Sequence, residues 1–274
     1  MGVITSYNYV SSGWIFNYCK PKLCAFAIYL CLGINYILEN KTMKISSLNF
    51  ENARYERKFL ISDVDIKEIE YFIKFNPIMF SEIFYERRVN NIYLDSVDFG
   101  SYADNINGNL HKAKIRIRWY GKIFGKISKP VLEIKIKNGE LGKKMKFPLR
   151  PFLLNKNFSK GYLQKEVFNK SNLPRWLVEN LKLYNLALLN SYKRMYFISS
   201  NKQYRITLDK DMVFFKIQDT KNSFKDFEFE RRNVILELKY KRKNDLKISQ
   251  ITQHFPFRLT KSSKYVCGID LLDY

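Results

Sequence analysis

Five stretches of this chain alternate long charged side chains with aliphatic ones. Arg54, Glu56 and Lys58 share one parity, as do Lys114, Arg116 and Arg118, then Glu133, Lys135 and Lys137, then Arg205, Thr207 and Asp209, and last Glu237, Lys239 and Lys241. The other parity carries Ile115/Ile117, Leu132/Ile134/Ile136, Ile206/Leu208 and Leu236/Leu238. Period two belongs to β-strands. The plain explanation is a sheet with one solvated face. A solvated face would mix Ser, Thr, Asn and Gln with its charges, whereas long cations dominate here. Cations in a row repel one another. An anion held between them removes that cost, and paired guanidinium N–H groups match phosphate oxygens. Glu stands among these cations at three inward positions, Glu56, Glu133 and Glu237.

The elements that must position these residues follow from pattern. Residues 53–61 form the first strand. Ser62 or Asp63 then caps a helix to residue 75, with Ile66, Ile69, Phe72 and Ile73 at helical spacing. Strands are expected over 88–94, 113–120, 131–137, 191–198, 203–209, 212–217 and 233–241. Asn138-Gly139 is a turn signal. Residues 160–190 are expected to be mostly helical, with Pro174 in a first helical turn. Charged strand faces that meet around an axis give an antiparallel α+β fold: a polar-lined barrel with helices packed on the outside.

The chain has 274 residues and 46% hydrophobic content, with 22 Phe and 19 Tyr. That is a globular composition. The formal charge is +22, from 48 Lys+Arg against 26 Asp+Glu, which predicts a polyanionic partner. Two His and four Cys without a CxxC pair argue against zinc and against a disulfide framework. Residues 1–45 form a separate extension with an apolar run at 23–38. Three readings stand for it: a start upstream of the natural Met43, a signal or membrane anchor, and a packed helix. The expected location is the cytoplasm; on the anchor reading, residues 23–38 would associate it with a membrane.

RYERKFLI, NIYLDSVDF, KIRIRWYG, LEIKIKNG, SYKRMYF, YRITLDKD and ILELKYK occur in the order of the catalytic domain of the vacuolar transporter chaperone (VTC), over roughly residues 50–274. The chain resembles that polyphosphate polymerase branch of the CYTH-like triphosphate tunnel metalloenzymes. The resemblance implies an eight-stranded antiparallel tunnel and transfer of the ATP γ-phosphate to polyphosphate with Mn²⁺ or Mg²⁺. It implies that Lys58, Arg116, Arg118, Lys135, Arg194, Arg205, Lys261 and Lys264 grip phosphates. Among these, Lys58, Arg116 and Arg118 act catalytically together with Glu237, the implied metal ligand; Glu56 and Glu133 are further metal candidates. The hydrolytic branch opens with E-x-E-x-K, and this chain has Arg54-x-Glu56-x-Lys58, which favours the polymerase branch. A tripolyphosphatase or nucleoside triphosphatase and a non-catalytic polyanion binder are the alternatives. A nucleic-acid partner is not expected, because the cations alternate with aliphatics and not with exposed stacking aromatics. Asp209 is expected to fix Arg205, Arg57 and Lys112 to be solvated, and Asp95 to serve a turn.

Overall fold

The structure, a computed structural model, describes residues 54–138 and 141–274. The apolar run at 23–38 lies outside the described residues. No helix among the described residues is long and apolar enough to cross a membrane.

A single antiparallel sheet dominates. Its strands are β1 (Arg54–Ser62), β2 (Phe80–Asp95), β3 (His111–Tyr120), β5 (Val131–Asn138), β6 (Leu141–Pro148), β8 (Asn185–Ser199), β9 (Tyr204–Phe215), β10 (Phe227–Glu230) and β11 (Asn233–Lys241). They are ordered β1-β11-β9-β8-β2-β3-β5-β6, with β10 also on β9, so the sheet has nine strands. A separate ribbon pairs β4 (Gly125–Ile127) with β7 (Phe152–Leu154). The expected closed eight-stranded tunnel is corrected here. Among the strands β1 pairs only with β11 and β6 only with β5, and no ladder joins these two edges among the described residues; the free edge of β1 carries one isolated bridge, Phe59 to Leu259. The sheet curls without closing. Side chains bridge the gap instead: Lys135 of β5 donates to Glu56 of β1 at 2.7 Å.

The curl places the charged parity inside. Paired residues of antiparallel strands share a face, and the pairs Lys58↔Glu237, Arg116↔Glu133 and Arg116↔Tyr93 therefore point together. The aliphatic parity faces out. On one flank Ile115, Ile117, Leu132 and Ile134 meet Phe158, Val167 and Leu177. On the other, Leu236 and Leu238 meet Ile69 and Ile73 of α1 (Ile66–Lys74). Helix α1 is N-capped by Asp65, whose carboxylate accepts from the Lys67 N–H at 2.7 Å, so the cap lies later than Ser62 or Asp63.

The helices are few and short: besides α1 and short helical turns such as Arg242–Lys247 and Ser249–Thr252, the described residues form α2 (Gly100–Ile106), α3 (Arg175–Leu181) and α4 (Lys264–Leu271). Residues 160–190 are not one helical region. The helical turns from Lys160 end at Phe168, α3 starts after Pro174, and β8 begins at Asn185. Nor do all helices pack outside. Tyr265 and Ile269 of α4 pack against Val89, Tyr93, Leu188 and Phe214. Tyr93 and Leu188 are paired on the concave face, so α4 covers that face at one end.

Candidate functional site

The concave face encloses a cavity of about 720 Å³. Lys and Arg outnumber carboxylates on its wall by thirteen to two, the two being Glu56 and Glu237. Buried carboxylates compensate part of this charge. Glu133, only 4% exposed, accepts from Arg116 at 2.7 and 2.9 Å and lies 3.7 Å from Arg118 and 3.4 Å from Lys144. Burial would raise its carboxyl, but Arg116, Arg118 and Lys144 hold it at about 2. Arg116 is raised in return: burial opposes its charge, while Tyr93 and Glu133 favour it.

Arg194 and Asp209 form a buried two-point pair, with Nε and Nη2 each 2.5 Å from a carboxylate oxygen. Lys264, at the start of α4, reaches the same carboxylate at 2.5 Å. Asp209 therefore fixes Arg194 and Lys264 and not Arg205. Glu237 lies in a cage of cations: Lys239 at 2.6 Å, Arg194 at 3.3 Å, Lys58 at 3.5 Å and Lys264 at 3.9 Å. Burial would raise its carboxyl, but Lys239, Lys264, Lys58 and Arg194 hold it well below the usual carboxylate range. Glu56 is raised by burial and by Glu237, yet Lys58, Lys135 and Lys239 bring it down to about 2.

Arg118 is aimed by a polar chain. Its Nε donates to Asn91, whose amide donates to Asn190, and its Nη2 donates to the Tyr192 hydroxyl at 3.0 Å. Among the described residues Lys114 has no carboxylate partner of this kind; its ammonium donates to the Ser263 hydroxyl at 2.7 Å. Burial, followed by Lys58, Lys135, Lys137 and Arg116, pushes it down to about 7. Lys144 is pushed to about 7 by burial and Arg116, against the pull of Glu133.

The profile of the VTC domain family matches residues 53–273. This chain belongs to that family. No curated protein matches it. Among solved structures the VTC domain is similar to HpAC1 from Hippeastrum, described as having a dominant triphosphatase activity (10% identity, 80% of this chain and 95% of that one, TM-score 0.45). It is also similar to a Bacillus halodurans protein described as a candidate adenylate cyclase (13%, 80% and 97%, TM-score 0.44). A third is the Mimivirus capping enzyme triphosphatase (14%, 82% and 91%, TM-score 0.34).

Of the residues singled out in the sequence, Lys58, Arg116, Arg118, Lys135, Arg194, Lys264, Glu56 and Glu237 line the VTC-domain cavity. Glu133 stands behind Arg116 and Arg118. Arg205 and Lys261 are exposed and are not on the cavity wall. Arg205 pairs with Lys239 at the rim of the same face. Arg57 is not solvated alone: it donates to Tyr240 at 2.8 Å and pairs with Asp245 at 3.4 Å. Asp95 caps α2 by accepting from the Ser101 and Tyr102 N–H groups. Wall residues that went unassigned include Lys144 and Lys146 of β6 and Tyr192 of β8. Each sits two residues from another wall residue, so the period-two signal was present. For a divalent ion the wall offers Glu237 with Glu56 close by, and no group of three His, Cys, Asp or Glu converges among the described residues. Such a donor set fits Mg²⁺ or Mn²⁺ only when phosphate oxygens complete the coordination.

Proposed function

We propose that the cavity grips the phosphates of a nucleoside triphosphate and transfers the γ-phosphoryl group to a polyphosphate end. The observation that carries this reading is the thirteen-to-two cationic wall in a VTC domain, with Arg116, Arg118 and Arg194 held rigid by buried partners. Phosphoryl transfer asks for positioning and charge neutralisation more than for a covalent nucleophile. Arg116, Arg118, Arg194, Lys58, Lys135 and Lys264 supply fixed positive charge, with Glu133 and Asp209 holding the arginines from behind. A divalent ion, held by Glu237 and Glu56 together with the phosphates, would neutralise further charge. In the transfer, an oxygen of the terminal acceptor phosphate bonds to the γ-phosphorus as the bond to the ADP oxygen breaks.

A triphosphatase uses the same grip with water in place of the acceptor. The Arg54-x-Glu56-x-Lys58 strand favours the transferase, since the carboxylate-rich opening of the hydrolases is one carboxylate short here. Incubation with ATP and Mn²⁺ followed by electrophoresis of the products decides between them. Chains longer than the input are expected, and their synthesis should be lost in Glu237→Gln while tripolyphosphate still binds. Orthophosphate as the sole product would defeat the polymerase reading.

A further inference from the structure

The concave face changes character beyond Arg118 and Arg194. On β3 the next inward residue is Tyr120, and on β8 it is Tyr196. On β2, Arg87 pairs with Arg194 and Phe84 with Tyr196. At this mouth, away from α4, the Lys/Arg wall gives way to an aromatic collar built around one arginine. The Arg87 guanidinium lies 4.6 Å from the Phe84 ring centre and 5.7 Å from that of Tyr196. The Phe84 and Tyr196 rings meet edge to face at 5.7 Å. Phe84 is 48% and Tyr120 55% exposed. Large aromatic faces left open to water beside a phosphate-gripping cavity need an explanation, since packing does not supply one.

We propose that Phe84, Arg87, Tyr120 and Tyr196 form the subsite for the nucleobase of the nucleotide whose phosphates occupy the cavity. This rests on the phosphate-binding reading given above. Three features point to a planar ring. Arg and aromatic side chains offer stacking faces that any base can use. The collar continues the strand faces that carry the phosphate grip, so one molecule can span both. Tyr196 lies two residues beyond Arg194, about 7 Å along the strand, which leaves room for a ribose between stacked base and gripped phosphate. The collar makes its contacts through ring faces and one guanidinium, so selection among bases is expected to be weak. The consequence is that the preferred substrate is a nucleotide and not inorganic triphosphate.

The test compares equilibrium binding of ATP and of tripolyphosphate by titration calorimetry. In Phe84→Ala and Tyr196→Ala, ATP affinity is expected to fall by roughly five- to a hundredfold, the range for losing one stacked base contact. Tripolyphosphate affinity should stay within about twofold. Arg87→Lys, which keeps the charge and loses the plane, should weaken ATP several-fold and leave tripolyphosphate unchanged. Tyr71→Ala, at an exposed aromatic on α1, should change neither. Unaltered ATP binding, or an equal loss for both ligands, overturns the collar as a base site. If the wild-type protein binds neither ligand, the phosphate reading fails and the base site fails with it; tripolyphosphate binding with collar-insensitive ATP binding sinks the base site alone.

Discussion

Glu133 illustrates how single residues hold a cation-lined site together. Three cations crowd its buried carboxylate, and their repulsion is relieved only while the charge remains. Glu133→Gln keeps the shape and removes the charge. Its expected cost is about 1–3 kcal/mol of stability, read as a lower Tm, with tripolyphosphate restoring much of the loss by replacing the missing anion. An unchanged Tm would mean that Glu133 compensates nothing. The pH dependence has a definite sign. Glu133 and Glu56 sit at about 2, below their unfolded value, so the stability they contribute is complete above the unfolded carboxyl pKa and is lost as pH falls toward 2. Glu133→Gln should flatten part of that acid slope. Strand parity made Arg116, Arg118, Lys135 and Glu237 legible as one inward set. It could not show which carboxylate each cation would take: Asp209 shares a strand face with Arg205, yet the curl brings Arg194 and Lys264 to it. Such pairings depend on distances between strands, which a period-two pattern does not encode.

Elements position these residues, and α4 does so by close approach. A Cβ built on Gly268 would stand 2.5 Å from Cδ1 of Phe214 and 2.6 Å from Cδ2 of Leu188, both fully buried on the sheet. Helix and sheet meet there without room for a methyl group. Gly268→Ala is therefore expected to push α4 off the sheet, costing about 1–3 kcal/mol and displacing Lys264 and Ser263. Weaker tripolyphosphate binding with a lower Tm is the expected result; full affinity would show that α4 does not set the cavity. The same helix explains a misreading of the sequence. Leu188 packs toward α4 while Leu189 packs into the outer core, so the start of β8 is apolar on both faces and loses the alternation that marks a strand. Where water or the cavity reaches one face, as in β1, β3, β5 and β11, the strands were legible to within about two residues. β6 carries the same alternation in Lys144, Met145, Lys146 and Phe147 and is shorter on signal, being hemmed in by Lys143 and Pro148.

At the scale of the whole molecule, the sheet gathers like charges around a common space, and folding has to bear that repulsion until an anion arrives. Lys114 and Lys144 record it, both held at about 7 by burial and neighbouring cations. An unfolded lysine keeps its proton to about pH 10. Between pH 7 and 10 the unfolded chain thus binds more protons at these two lysines than the folded one, and their contribution to stability rises with pH over that interval. The empty protein is accordingly expected to be more stable at pH 9 than at pH 7. The double variant Lys114→Met, Lys144→Met should be more stable than wild type at pH 7 and should lack much of the slope. Tripolyphosphate acts on the same charges from the other side. It favours the protonated lysines, so its stabilisation at pH 7 should exceed that of the double variant and should shrink as salt screens the field. Thermal unfolding at pH 7 and 9, with and without tripolyphosphate and at two salt concentrations, measures all of these. A flat pH response in the empty wild-type protein would show that the cations do not strain one another, and the need for an anion between them would disappear with that strain.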